Sequence, residues 1–411
     1  MVFNRATYFT KLALHYTERQ WQKYLAKNFA HHLEQRINIP TKHDALRAAI
    51  DWLCNAQDNN RDGGISRGFS LVYDPKFNKT GWQPSYPETS GYIIPTLLRA
   101  AQFLKEPNLI ERTKKIAAWE ISIMTSEGGI PGGNIGKDPK PAVFDTGQVI
   151  RGFIALFEET KDTLYLDAAT RAANWVLKNE FSNTGQWLAH NADSVNPTTT
   201  VYNIYAIVPI VYLGQLTHNT LFIDLGKRVA EFTLKQQNAV GWFKYCDFED
   251  RTDALLHTLG YTIDGLWDIG ILLNEERYLT AARLSVDNLL RHLDSKGLPK
   301  GRFNNIWQTT VDTYCLTGIA QIAITAIKIR SRYSDSSYTE FIERSIAFLT
   351  SKQNMTDPSF GGLGALWGSW PINGDYQPYQ ALNWAVKYLT DLLLMHQQTS
   401  STASLSSTFL L

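Results

Sequence analysis

The stretch LIERTKKIAAWEISIMTSEGGIPGG at 109–133, followed by AVFDTGQVIRGFIALFEE at 142–159, decides how the chain is read. Its first half carries Leu, Ile, Ala and Trp at three- and four-residue intervals, with Glu, Arg and Lys between them. That is a helix with one buried stripe and one wet face. Two glycines end it. The second helix is small and apolar nearly all round, as expected of a helix surrounded by protein.

The same unit recurs along the chain. DGGISRG at Gly63, EGGIPGG at Gly128, TGQWLAH at Gly185, VGWFKYC at Gly241, KGLPKGR at Gly297 and FGGLGAL at Gly361 are separated by 65, 57, 56, 56 and 64 residues. Each follows an amphipathic stretch and precedes a polar or aromatic loop and a more apolar helix. Six charged helices alternating with six buried ones predict an all-α, single-domain (α/α)6 toroid, with the inner six lining the axis. An open solenoid shares the period, but six pairs without a linker suit closure. The ring is expected to occupy 43–397. An N-terminal helical extension, 1–42, should pack a helix at 13–35 on the outside, and 398–411 should be a flexible Ser/Thr-rich tail. Inner helices are expected to begin near Glu88, Asp145, Thr200, Leu256, Thr310 and Gln377.

Composition excludes several classes. Lys+Arg 40 against Asp+Glu 39 gives 411 residues a net charge of +1, so nothing steers the molecule toward nucleic acid or anionic membranes. No apolar run is long enough for a membrane span or a secretory signal. Three widely spaced cysteines argue for a reducing compartment, and the expected location is cytoplasmic. Cys246, His257 and Cys315 lack metal-ligand spacing, and nucleotide-binding and nucleophile-elbow motifs are missing, so no metal or other cofactor is expected.

Every loop precedes an inner helix, so six loops and six inner N-termini should gather at one end of the ring. Counted from the glycines, Asp145, His257 and Asp312 fall 17, 16 and 15 residues on, and Glu88 holds the same place in the first repeat, which stretches to 25; these four are the candidate catalytic residues. The plain alternatives are a first-turn acid after Pro87 for Glu88, an N-cap for Asp145 and a satisfied core histidine for His257. Of 12 Trp, 19 Tyr and 19 Phe, most would fill core. Those on Gly/Pro-rich loops are the better candidates for stacking on a sugar. The expected binding set is Arg67, Trp82, Tyr86, Trp187, Tyr202, Trp242, Arg302, Trp307, Trp367, Trp370 and Tyr376, with Tyr92, Gln148 and Tyr261 on the inner helices. The arginines leave room for an acidic sugar.

At DGGISRGFS, GWQPSYPETSGYIIPTLL and FDTGQVIRGF the chain resembles the bacterial toroid proteins of exopolysaccharide and O-antigen clusters, the VpsJ-like proteins, over roughly 55–388. More broadly it is similar to glycan-active toroids: unsaturated glucuronyl hydrolases, glycosidases, polysaccharide lyases and uronyl epimerases. The resemblance implies an oligo- or polysaccharide ligand and a place beside polysaccharide biosynthesis machinery. Three readings follow. A glycoside hydrolase would use Glu88 and Asp145 with Asp312 in reserve. A uronic-acid epimerase or lyase would use His257 or a mouth tyrosine as base, with Arg67, Arg251 or Arg302 against the acid group. A non-catalytic glycan-binding subunit would need neither.

Overall fold

The computed structural model describes residues 5–36, 39–133, 140–179, 182–186, 200–249 and 251–401. A long helix α1 (Arg5–Glu34) precedes twelve that alternate between two layers. The outer layer is α2 (Lys42–Asp58), α4 (Asn108–Ile123), α6 (Thr163–Asn179), α8 (Thr220–Lys235), α10 (Glu276–Leu290) and α12 (Thr339–Lys352). The inner layer is α3 (Pro87–Leu104), α5 (Val143–Thr160), α7 (Ile204–Leu216), α9 (Leu256–Leu273), α11 (Leu316–Tyr333) and α13 (Asn383–Ser401). Inner helices pack in chain order and α13 packs back on α3, which closes the ring. Outer helices α4 to α12 each cover the inner helix before them, and α2 covers α13, so the first outer helix seals the seam. The molecule is a single-domain (α/α)6 toroid. Among the described residues, no helix is long and apolar enough to cross a membrane.

Sequence pattern explains the layers. Every residue of α9 from Leu256 to Gly270 is buried, whereas α10 buries one stripe that includes Tyr278, Leu279, Ala282 and Val286. The six repeat glycines all take positive φ, from 72° to 106°. At Gly128 a Cβ would lie 2.4 Å from the Arg171 carbonyl of α6, and at Gly185 one would lie 2.1 Å from the Arg228 carbonyl of α8. The turn therefore needs left-handed backbone and contact with the next outer helix at once, which only glycine supplies.

Short strands tie the loops together at the mouth. β1 (Gly68–Asp74) pairs antiparallel with β2 (Lys79–Trp82), placing Phe69 opposite Trp82. β3 (Ala254–Leu255) pairs with β4 (Arg302–Phe303), and β5 (Tyr314–Cys315) with β6 (Ser369–Trp370). β7 (Gln380–Leu382), in the last loop, pairs with β1 in the first and straps the ring shut. These strands explain why α11 and α13 begin later than the expected Thr310 and Gln377: the residues ahead of them hydrogen-bond to neighbouring loops instead.

The axis is filled by buried charge. Lys328 Nζ lies 2.8 Å from Asp264 and 2.8 Å from Asp268, while Asp391 pairs at 2.8 Å with Arg99 and at 2.8 Å with Lys387. A different buried acid, Glu120 of α4, has neither carboxyl oxygen hydrogen-bonded among the described residues, and burial holds its pKa well above the ordinary 4.5.

Two stability predictions follow from this packing. Gly128→Ala should destabilise the fold by on the order of 2–3 kcal/mol in a denaturant titration, with no loss of helix at low denaturant. Burial of Glu120 adds an ionisation cost that is absent below its ordinary 4.5, where the group is protonated folded or unfolded, and that grows as pH rises and the unfolded chain ionises. Glu120→Gln should therefore raise stability at pH 7 relative to its effect at pH 4. Equal effects at both pH values would show that the proton is not the cause.

Candidate functional site

Inner helices α3, α5, α7, α9 and α11 start without a side-chain cap of their own, and the mouth receives their N-termini. A cavity of about 240 Å³ opens there, its walls including Arg67, Tyr86, Glu88, Phe248, His257, Tyr376 and Trp384. Such a volume suits a small ligand or one end of a chain. Glu88 is the second residue of α3, His257 the second of α9 and Trp384 the second of α13. Equivalent positions in the fold thus deliver an acid, an imidazole and an indole to one space.

Burial, then the charge of Asp145, pushes the Glu88 carboxyl up to about 8, against the opposing pull of Tyr86, Arg67 and Tyr261. The Tyr261 hydroxyl reaches Glu88 Oε1 at 3.4 Å. Glu88 is thus a proton carrier at neutral pH. Asp145 is buried, 6% exposed, and accepts the Gly133 N–H at 3.0 Å.

His257 is held by a 2.7 Å hydrogen bond between Nδ1 and Oε1 of Gln321. A carbonyl oxygen only accepts, so this contact assigns the proton to Nδ1 and leaves Nε2 unprotonated. Burial lowers the imidazole pKa to about 3, so the ring is neutral. It sits among aromatic rings, with Tyr261 at 4.4 Å, Tyr376 at 5.5 Å and Phe248 at 5.7 Å between centroids.

The two arginines at the cavity differ in kind. Arg302 lies 2.6 Å from Asp247 and 3.7 Å from Asp253, and it also bonds Asp375, so its charge is spent within the protein. Arg67 is instead held by neutral amide oxygens, of Gln83 at 2.9 Å, Gln380 at 2.8 Å and Gln377 at 3.0 Å. Its guanidinium lies 4.9 Å from the Trp384 ring centroid. Trp384 in turn donates to the Tyr376 hydroxyl at 3.0 Å. Arg67 keeps its positive charge for the cavity.

Of the residues expected from sequence, Glu88, His257, Arg67, Tyr86, Arg302 and Tyr376 line this space. Asp145 acts on it through charge. Tyr92, Gln148, Tyr202 and Tyr261 are buried around and beneath it; Tyr202 packs on Phe144 at 5.5 Å and Phe248 at 5.3 Å, and Gln148 accepts from Arg151 at 3.3 Å. Asp312 is not brought to the site: it is exposed on the loop ahead of β5, because α11 starts only at Leu316. Five tryptophans are structural instead. Trp242, Trp307 and Trp367 donate to the backbone carbonyls of Phe303, Val240 and Lys352, and Trp370 donates to Glu34. Trp82 packs 5.2 Å from Trp52 and 5.4 Å from Phe69. Trp187 lies outside the described residues.

Trp384, Phe248 and Gln377 were not foreseen. Trp384 was findable by counting from the start of the apolar run rather than from the glycine, since the last loop is longer than the others. If Asp145 raises the Glu88 pKa by charge, Asp145→Asn should bring it down from about 8 toward the ordinary range. Carboxyl carbon NMR titration measures this directly, and an unmoved pKa would assign the shift to burial alone.

No known family model matches the sequence, and no curated protein does. Solved structures of the same fold do match. An unsaturated glucuronyl hydrolase specific for heparin is 14% identical, covering 89% of this chain and 99% of its own, with a TM-score of 0.68. A cellobiose 2-epimerase from Bacillus thermoamylovorans B4167 is 11% identical, covering 87% and 98%, with a TM-score of 0.67. A polysaccharide lyase is 12% identical, covering 88% and 99%, with a TM-score of 0.59. At these identities the likeness establishes the (α/α)6 fold, which hydrolases, epimerases and lyases of glycans share.

Proposed function

We propose that the chain is a carbohydrate-active enzyme, a glycoside hydrolase acting on an acidic oligosaccharide, with Glu88 as general acid and Asp145 as partner carboxylate. One observation carries this reading: Glu88, pushed up to about 8, holds a proton at the wall of a cavity. A general acid needs a proton at working pH and a leaving oxygen within reach, and a second carboxylate to direct water or attack the sugar carbon. Arg67, held by amides over Trp384, supplies a cation and a stacking face for a uronate ring. The likeness to glycan-acting toroids supports the substrate class. A soluble cytoplasmic role beside exopolysaccharide or O-antigen synthesis, as the VpsJ-like resemblance implies, extends the same reading.

His257 favours a second reading, proton abstraction in a uronic-acid epimerase or lyase. Its hydrogen bond to Gln321 leaves Nε2 unprotonated and the ring neutral, as a base must be.

Hydrolysis of unsaturated and saturated uronate oligosaccharides, followed by reducing-end release, tests the first reading. Glu88→Gln should lower kcat by about 10²–10⁴-fold. Wild-type activity should be held below pH 8 and fall as pH rises through about 8, because the working form of Glu88 is protonated. A Gln variant that keeps full rate overturns the assignment. Deuterium entering the sugar in heavy water, lost in His257→Asn, would instead establish the second reading, and tight binding without turnover would leave a glycan-binding protein.

A further inference from the structure

Beside the cavity lies a second concavity that the chemistry above does not use. It measures about 330 Å³, and its walls include Arg19 and Lys23 of α1, Tyr73 of β1 and Asn373, Tyr379 and Gln380 of the last loop. We infer that this groove is a distal subsite for an acidic sugar residue of an oligosaccharide whose end is held at Glu88. The inference rests on the glycan reading above and extends it to chain length and charge.

Several independent features point there. Arg19 and Lys23 stand one turn apart on α1, so both reach the same side of the helix. The Arg19 Nε is buried without a hydrogen-bond partner among the described residues, and the Lys23 ammonium lies 5.8 Å from the Tyr379 ring centroid. The helix is fixed in place, because Gln22 accepts the Tyr73 N–H at 2.7 Å and donates to Thr80 at 3.4 Å. The acid in the groove, Asp74, is already engaged: it accepts the Lys76 N–H at 2.9 Å and the Gln380 amide at 3.4 Å. Two cations against one occupied carboxylate leave the groove positive. Tyr73 and Tyr379 add the flat surfaces a sugar ring uses.

Groove and cavity are neighbours through one partition. Pro75 lines the groove and Lys76 the cavity; Pro378 lines the groove and Gln377 the cavity. Gln380 joins them, donating to Asp74 on one side while its Oε1 accepts from Arg67 at 2.8 Å on the other. Gln377 and Tyr379 both hold left-handed backbone, φ 49° and 61°, which turns one side chain to Arg67 and the other to the groove. Only this segment separates the groove from the cavity that holds Glu88.

Calorimetric binding tests the subsite in a Glu88→Gln background that does not consume the ligand. The probes are an unsaturated hyaluronan hexasaccharide, its unsaturated disaccharide, and cellohexaose as a neutral chain of equal length. Adding Arg19→Gln and Lys23→Gln should weaken the hexasaccharide about tenfold, leave the disaccharide unchanged, and reduce the salt dependence of hexasaccharide binding. Lys23→Glu alone, a milder change to the fold, should weaken the hexasaccharide in the same sense. An unchanged hexasaccharide with normal disaccharide binding overturns the groove and spares the site at Glu88. Equal losses for cellohexaose overturn its preference for acid. Failure of all three probes to bind the parent protein overturns both the groove and the glycan reading it rests on.

Discussion

Everything at the mouth stands on a floor of paired charge across the axis. A ring of six apolar helices cannot close over an empty centre, and here the centre is crossed by Lys328 between Asp264 and Asp268, and by Asp391 between Arg99 and Lys387. Removing one partner would strand a buried charge at a cost of about 3–5 kcal/mol, so the pairs act as a single unit. Lys387 also meets the next layer, 3.9 Å from the Tyr388 ring centroid and 4.9 Å from Tyr92, and Arg151, beside the pairs, lies 4.4 Å from Tyr205. Those tyrosines form the next layer, with Tyr205 4.9 Å from Tyr261, and Tyr261 reaches both His257 and Glu88. The site is thus positioned from below by ring contacts and from the side by helix starts.

The rim is positioned by a different device. Loops of six hairpins would be free to drift, yet paired strands join the first loop to the last, the fourth to the fifth and the fifth to the sixth. Where the first and last loops meet, Gly68 faces Leu382, and a Cβ on it would come within 2.2 Å of the Ala381 carbonyl. This closely packed junction carries Arg67 and Gln380, so ring closure and the placing of the Arg67 guanidinium depend on the same strands.

The layers were legible because they rest on periodicity and on glycine. A positive φ pressed against a neighbouring helix leaves glycine at a fixed place in the first five repeats, Gly63 through Gly297, while in the last that contact with α2 falls to Gly364, three residues past Gly361. Side-chain placement was less legible where loop length varies. Counting from Gly297 put Asp312 on the mouth, but residues of that loop are spent on β5, and the acid faces solvent. The tryptophans misled for a related reason. Trp242, Trp307 and Trp367 sit on glycine-rich loops, as ligand-stacking residues do, yet their N–H groups satisfy carbonyls of adjoining segments. Sequence shows that such a residue is on a loop, not which way the ring turns.

The site's charge pattern narrows what can enter it. Its two proton-handling side chains are both neutral near pH 7: Glu88 because burial and Asp145 keep its proton on, His257 because burial keeps one off. Arg302 is neutralised by its aspartates, and the cysteines nearby, Cys246 and Cys315, are pushed up to about 12 and stay protonated. That leaves Arg67 as a cavity cation whose hydrogen bonds go to amides, fixed in place without being discharged. A neutral sugar would gain little from it, since the guanidinium already has three oxygen partners. A carboxylate would gain the whole charge as well, so Arg67 favours an acidic group over a neutral one.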